Sequence, residues 1–149
     1  MQYDHTQQAP LYLILVAVGI GMLAGAWFTP IQAVQIVLVI SGGLMFVLAA
    51  TFRQLTVRDE ANHLLIQFGP LPLLRRRVPY SDMERAERSR TSILDGWGIH
   101  LSPSGGWVWN LWGFDCVDVF LSRGRKVRIG TDDPDGLEAF LKERIGKHS

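Results

Sequence analysis

The chain has 149 residues, 48% of them hydrophobic, and its fifteen Lys and Arg residues against fourteen Asp and Glu residues give a formal net charge of +1. A single cysteine excludes an intramolecular disulfide framework and a zinc site built from cysteines. A net charge this small also disfavours a nucleic-acid-binding protein, because such proteins usually present a strongly basic face.

Two apolar segments dominate the first third of the chain. Residues 11–28 and 31–52 contain no Asp, Glu, Lys or Arg, and about 20 helical residues cross a hydrocarbon core of this kind. Thr29 and Pro30 between them fit the N-cap and first position of a second helix. The segments therefore predict a tight transmembrane helical hairpin, preceded by a short tail of residues 1–10.

The distribution of charge predicts the orientation of this hairpin. The N-terminal tail has no Lys or Arg, whereas Arg53 and Arg58 closely follow the second span. The positive-inside rule then places both chain ends in the cytoplasm of a multi-pass protein. A cleaved signal peptide is the alternative for the first span, and the missing N-terminal positive charge argues against it.

Small residues recur along both spans. Ala17, Gly21 and Gly25 are spaced by four residues and share one helix face, and Gly42 falls opposite Ala17 in the predicted hairpin. Small side chains allow helix backbones to approach closely in lipid. These residues either close the hairpin or bind a second copy of the chain. Because neither span contains an ionisable residue, transport is disfavoured.

Residues 53–149 predict a separate cytoplasmic domain. Short alternating runs with turn residues between them are typical of a small antiparallel barrel or sandwich, here with about seven strands. Near the end, Asp133 and Pro134 fit the start of a helix. Four apolar residues then recur at helical spacing: Leu137, Phe140, Leu141 and Ile145. We expect this amphipathic C-terminal helix to cap the β-structure.

Five short motifs occur in order in this domain: FGPL, RRRVPY, GWGI, WNLWG and GRKVRIGTDDP. Together with the hairpin, they resemble the bacterial pleckstrin-homology-like (PH-like) domain proteins, from about Arg53 to Lys147. The resemblance implies two roughly orthogonal sheets capped by a helix, and a place in the bacterial inner membrane. His100 stands where the resemblance leads us to expect a basic residue, so no anion contact is implied there. No activity is implied, because such domains bind lipids, bind peptides and mediate assembly.

The sequence contains no constellation that predicts catalysis. The histidines are scattered without partners at metal-ligand spacing: His5, His63, His100 and His148. Residues 132–136 lack the alternating ligands and closing glutamate of an EF-hand, and helix capping explains them better. No serine lies in a Gly-x-Ser-x-Gly context. We expect a protein that is not an enzyme and has no catalytic residues, metal, cofactor, small-molecule substrate or nucleic-acid partner.

Two basic clusters are candidate contacts for lipid headgroups or for a partner. They are Arg75, Arg76 and Arg77 in the first cluster, and Arg123, Arg125, Lys126 and Arg128 in the second. Each Lys or Arg near an anionic membrane surface contributes about 1 kcal/mol. An ordinary solvated strand face is the alternative for each cluster.

Four of the five tryptophans lie within residues 97–112. Strand alternation separates two sets, Trp107, Trp109 and Leu111 against Val108, Asn110 and Trp112. The first set is uniformly apolar and is expected inside, since a buried amide in the second would need hydrogen-bond partners. Trp97 and Trp112 remain as exposed candidates for contact with the bilayer interface or a partner.

These features together predict a membrane-tethered, non-enzymatic PH-like interaction module. The leading hypothesis is protein–protein contact or self-assembly at the inner membrane, with another protein or a second copy as the partner. Binding of anionic lipid headgroups is the alternative, and an enzyme comes third. Salt dependence distinguishes the first two hypotheses. Binding of arginines to lipid weakens steeply with ionic strength, whereas a hydrophobic protein contact does not.

Overall fold

The computed structural model describes residues 2–92, 96–103 and 105–148. The side chain of His148, one of the four histidines considered above, lies outside this description. Within these ranges there are three helices, namely α1 (Tyr12–Phe28), α2 (Gln32–Thr51) and α3 (Pro134–His148). The strands are β1 (Asp4–Gln8), β2 (Gln54–Glu60), β3 (His63–Phe68), β4 (Leu74–Pro79), β5 (Met83–Arg90), β6 (Gly98–Leu101), β7 (Trp107–Asn110), β8 (Asp115–Leu121) and β9 (Arg125–Gly130).

The strands form two sheets. Sheet A has the order β1-β2-β3-β4, and sheet B has the order β5-β8-β9-β7-β6. All neighbouring pairs are antiparallel except β7 and β9, which are parallel. The predicted mostly antiparallel β-structure with a C-terminal helix is therefore confirmed. Among the described residues the two sheets share no strand pairing, so they do not close into the predicted barrel, and there are nine strands rather than about seven.

The hydrophobic core lies between the two sheets and α3. Sheet A contributes Leu64, Ile66 and Phe68, and sheet B contributes Val117 and Ile129 among others. The helix adds the four apolar residues expected from its periodicity, all of which are buried. This packing of a helix across two open sheets covers apolar faces that a closed barrel would cover with strands.

The start of α3 is capped as predicted. The Oδ1 atom of Asp133 accepts a hydrogen bond from the backbone N–H of Gly136 at 3.1 Å. The hydroxyl of Thr131 in turn accepts a bond from the backbone N–H of Asp133 at 3.0 Å. Capping satisfies N–H groups that would otherwise have no partner in the first helical turn. The Asp-rich segment is thus a helix start.

The first strand, β1, is a feature that the sequence reasoning missed. Asp4–Gln8 pairs with β2 along its whole length, with Thr6 opposite Thr56. Because β1 immediately precedes α1 and β2 immediately follows α2, the chain leaves sheet A through one apolar helix and returns through the other. The N-terminal tail is therefore part of the β-structure.

The two apolar helices pack against each other. The backbones approach closely at Gly19 and Gly42, where a Cβ on either glycine would lie 3.2–3.3 Å from the carbonyl oxygen of the other. Gly25 faces Leu38 at a looser 3.6 Å. Gly42 thus has the expected role in helix packing, but its partner is Gly19 rather than Ala17.

One described helix, α2, is long and apolar enough to cross a membrane. It has 20 residues, and its most apolar stretch has a mean hydropathy of 2.3. Only 11% of that stretch is buried, so α2 is not enclosed like the core helix of a globular domain. Helix α1 is also apolar but has 17 residues. The length criterion therefore supports one span where the sequence analysis expected two.

Candidate functional site

Two tryptophans stack at the surface of sheet B. The rings of Trp97 and Trp112 lie 4.5 Å apart between centroids with an interplanar angle of 26°. The indole N–H of Trp97 donates to the carbonyl oxygen of Gly113 at 3.3 Å, and Gln7 donates to that of Trp112 at 3.0 Å. Both rings keep more than a third of their surface exposed. The expectation that these two tryptophans lie outside the core is confirmed.

An apolar groove connects this aromatic pair to the first turns of α1. The groove has a volume of about 310 Å³, and its walls include Leu11, Ile14 and Leu15 together with Phe52 and Trp97. The aromatic pair therefore adjoins the place where the apolar helices meet the sheets. Indole rings at such a position, with one polar N–H and a large apolar face, suit the membrane interface.

The loop of residues 69–73 lies at the same end of the β-structure. Gly69 has a φ of +69°, and a Cβ there would lie 2.8 Å from both the Cα and the carbonyl oxygen of Thr51, the last residue of α2. The loop thus passes directly against the end of α2. Leu71 and Leu73 in it are about half exposed. The sequence analysis predicted no structure for this segment, although two prolines alternating with two leucines are typical of an apolar loop.

The three consecutive arginines of β4 have different surroundings. Arg75 is exposed. Arg77 forms an ion pair with Glu60 at 3.3 Å. Arg76 points the other way by strand alternation and is half-buried. Of the three arginines, only Arg76 therefore lines a cavity.

The second basic cluster is divided in the same way. Arg128 is 7% exposed and is bound by both carboxylate oxygens of Asp118, at 2.6 and 2.9 Å. It is committed to this buried ion pair, so the prediction of a contact with lipid or a partner is wrong for Arg128. Arg123 lies in the β8–β9 turn with a φ of +65°. Arg125 and Lys126 follow at the start of β9.

Arg76, Arg125 and Lys126 meet in a cleft between the two sheets. It has a volume of about 590 Å³, and Trp107 and Phe120 form apolar parts of its wall. We call these five residues the basic cleft. Burial lowers the pKa of Arg76, and the neighbouring charge of Arg125 lowers it further. The fold therefore brings together cations from both predicted clusters, which lie about 50 residues apart in the sequence.

The assignment of strand faces over residues 107–112 is correct for Trp109, Leu111 and Trp112 and wrong for Trp107, Val108 and Asn110. Trp109 and Leu111 are buried as expected, but Trp107 is 43% exposed at the basic cleft. Asn110 is fully buried and donates to the carbonyl oxygen of Gly113 at 3.2 Å. β9 and β6 pair with the two edges of β7, and its second face is buried as well, since Val108 and Asn110 are both fully buried. A Cβ at Gly130 would collide with Asn110, and the glycine thus makes room for this amide.

A buried polar network fixes α3 to sheet A. The hydroxyl of Tyr80 donates to Asp59 at 2.9 Å, and Asp59 also forms an ion pair with Arg144 of α3. Burial and the contact with Asp59 raise the pKa of Tyr80, so its hydroxyl stays protonated. Sequence reasoning missed this network because its members lie far apart along the chain.

Metal binding and thiol reactivity have no support among the described residues. No group of three or more His, Cys, Asp and Glu side chains within them could hold a metal ion. Cys116 is buried, and burial raises the pKa of its thiol to about 11, which disfavours the reactive thiolate. The features that can interact with other molecules are the aromatic pair, the apolar loop and the basic cleft.

No protein-family model matches the chain, and no curated protein matches it. The resemblance to PH-like proteins accordingly stays a prediction from the five motifs.

Proposed function

We propose that the chain is a non-enzymatic interaction module of the bacterial inner membrane, tethered by two transmembrane helices, that self-assembles in the bilayer. In this proposal the β-structure is a PH-like domain in the cytoplasm, and both chain ends lie there. The leading partner is a second copy of the chain. The anionic-lipid alternative has its own support in the basic cleft.

Two spans are supported by the pairing of β1 with β2. If α2 crosses the membrane, its far end must be reconnected to β1 on the side of the sheets, and α1 is the only segment that joins them. The 17 residues of α1 extend about 26 Å at 1.5 Å per residue. The apolar Leu11 before it extends the hydrophobic stretch toward the thickness of the hydrocarbon core.

The single observation that carries self-assembly is the small-residue face of α1 that points away from α2. Ala17, Gly21 and Ala24 are exposed, and a Cβ at Gly21 would meet nothing within 4 Å. Helix α1 contacts α2 through Gly19 instead, so the small-residue face makes no contact with α2 at Gly21. In lipid, such a face lets a second backbone approach closely and gain van der Waals contacts.

Replacing Gly21 with leucine in the full-length protein tests the proposal. The new side chain has room in the single chain but would hold a second α1 away, so we expect energy transfer between differently labelled copies in liposomes to fall toward the level of non-interacting proteins. Gly43→Leu is the matched control, because Gly43 lies on α2 and a Cβ there also meets nothing within 4 Å. Undiminished energy transfer in Gly21→Leu would overturn self-assembly through α1.

A further inference from the structure

We propose that the basic cleft is a binding site for a phosphate group. The ligand chemistry is a phosphate ester or inorganic phosphate, supplied by a phospholipid headgroup of the adjacent leaflet or by a soluble phosphate compound. This inference goes beyond self-assembly and does not rest on it.

The cations of the cleft are weakly neutralised. Arg76 has no carboxylate within ion-pair distance in the part of the chain that the structure describes, and no Asp or Glu is among the residues that line the cleft. Arg125 reaches Asp82 only at 3.5 Å. Lys126 lies 3.7 Å from Asp118, whose two oxygens are already held by Arg128. Lys126 points to the opposite face of β9 from Arg125 by strand alternation. Two positive charges, those of Arg76 and Arg125, therefore converge with one long ion pair between them.

Such an arrangement is unfavourable unless an anion completes it. Arg76 loses part of its hydration in the cleft and faces the like charge of Arg125, and both effects cost free energy. A phosphate group placed between Arg76 and Arg125 would attract both guanidinium groups and so offset their mutual repulsion. The planar guanidinium forks of two arginines match phosphate oxygens.

The shape of the cleft suits a phosphate that carries an organic group. Its volume of about 590 Å³ far exceeds that of a phosphate alone, and Trp107 and Phe120 provide an apolar wall beside the cations. The guanidinium of Arg85 lies 3.9 Å from the ring centroid of Phe120 and holds that ring in place. Gly106 shapes the opposite wall, since a Cβ there would collide with the backbone of Lys126.

The position of β4 brings the cleft close to the plane where the apolar helices end. β4 begins at Leu74, immediately after the loop that packs on Thr51. Arg76 is two residues further along, which is about 7 Å in a strand. The headgroup layer on each side of the hydrocarbon core is itself about 5–8 Å thick. If the helices span the bilayer, headgroup phosphates are within reach of Arg76.

Arg76→Gln in the full-length protein, with Arg75→Gln as matched control, tests the site. Both variants remove one positive charge from the same strand, but Arg75 is exposed and outside the cleft. One arm titrates inorganic phosphate and glycerol phosphate by calorimetry against protein in micelles of a maltoside detergent, which contain no phosphate. The other arm compares thermal midpoints in these micelles with those in the same micelles containing phosphatidylglycerol.

We expect phosphate binding or headgroup-dependent stabilisation in the wild-type protein and in Arg75→Gln, and at least about tenfold weaker binding in Arg76→Gln. Dependence on Arg76 in the soluble arm identifies a free phosphate ligand, and dependence in the lipid arm alone identifies a headgroup. Without ligand, Arg76→Gln should have the same thermal midpoint as the wild-type protein or a higher one, because the substitution removes a desolvated charge that faces a like charge. If Arg76 had only a structural role, its replacement would lower the midpoint. Equal losses in both variants, or no Arg76-dependent response in either arm, would overturn the site.

Discussion

At the scale of single residues, Trp109 and Trp112 are three positions apart but have opposite environments. Trp109 is 7% exposed and packs against Phe68 in the core, with 5.9 Å between ring centroids. Trp112 keeps 36% of its surface exposed and makes its main ring contact with Trp97, which is itself exposed. The energetic role of a tryptophan here depends on which side of sheet B it occupies.

We expect Trp109→Ala to lower the free energy of unfolding by about 3–5 kcal/mol, because it leaves a large void among buried side chains. Trp112→Ala should lose mainly its ring stack, about 1 kcal/mol. Denaturant unfolding of the two full-length variants in the same membrane mimetic compares them directly. A loss in Trp112→Ala equal to that in Trp109→Ala would mean that the exposed pair is part of the core.

At the scale of elements, β1 connects the apolar helices to the β-structure. The N–H of Asp59 donates to the carbonyl oxygen of Tyr3, and the N–H of Ala9 donates to that of Arg53. Hydrogen-bonded pairs alternate along an antiparallel ladder, so the N–H of Gln7 points at β2 and that of Thr6 points away. The side chain of Gln7 also reaches sheet B through Trp112.

This alternation predicts different costs for two neighbouring proline substitutions. Gln7→Pro removes a ladder hydrogen bond and should destabilise the protein by about 1 kcal/mol beyond the loss of the side chain, which Gln7→Ala measures separately. Thr6→Pro removes an N–H that faces away from β2 and should cost less, as edge strands tolerate proline at such positions. Thermal midpoints of the three variants give the comparison, and the reverse order of the two prolines would place β1 in the other register.

At the scale of the whole molecule, the pairing of β1 with β2 restricts the membrane topology that the two-span proposal allows. Strand β1 before the helices and β2 after them cannot pair across a bilayer, so both ends of the helical segment must lie on one side. Arg53 and Arg58 at the return to the sheets favour the cytoplasmic side. Charge and strand pairing are independent reasons for the same arrangement.

Reporter fusions check this arrangement in cells. We expect a fluorescent reporter that matures only in the cytoplasm to be bright at either chain end, and a phosphatase that is active only outside the cytoplasm to be silent after Ser149. The same phosphatase inserted between Thr29 and Pro30, at the turn between the helices, should be active and serves as the positive control. Chain ends on opposite sides would contradict both the two-span proposal and the β1–β2 pairing.

The sequence by itself determined the features that depend on local pattern. The apolar helices, the capped start of α3 at Asp133 and the buried positions of that helix follow from composition and from spacing along a few turns. These features need only neighbours in the chain, so periodicity and capping rules suffice.

Only the tertiary structure decided which side chains meet across long separations. Whether β1 is a strand depends on β2, some 50 residues later, because an edge strand of polar residues has no periodic signal of its own. Asn110 is buried with its side chain against Gly130 of the neighbouring strand β9, a contact that alternation within one strand does not reveal. Arg128 does not belong to the candidate site because it forms a buried ion pair with Asp118. Arg76 and Arg125 line one cleft although they lie in different sheets. Charge alone does not distinguish these arginines, since their roles depend on whether the fold supplies a carboxylate or another cation beside them.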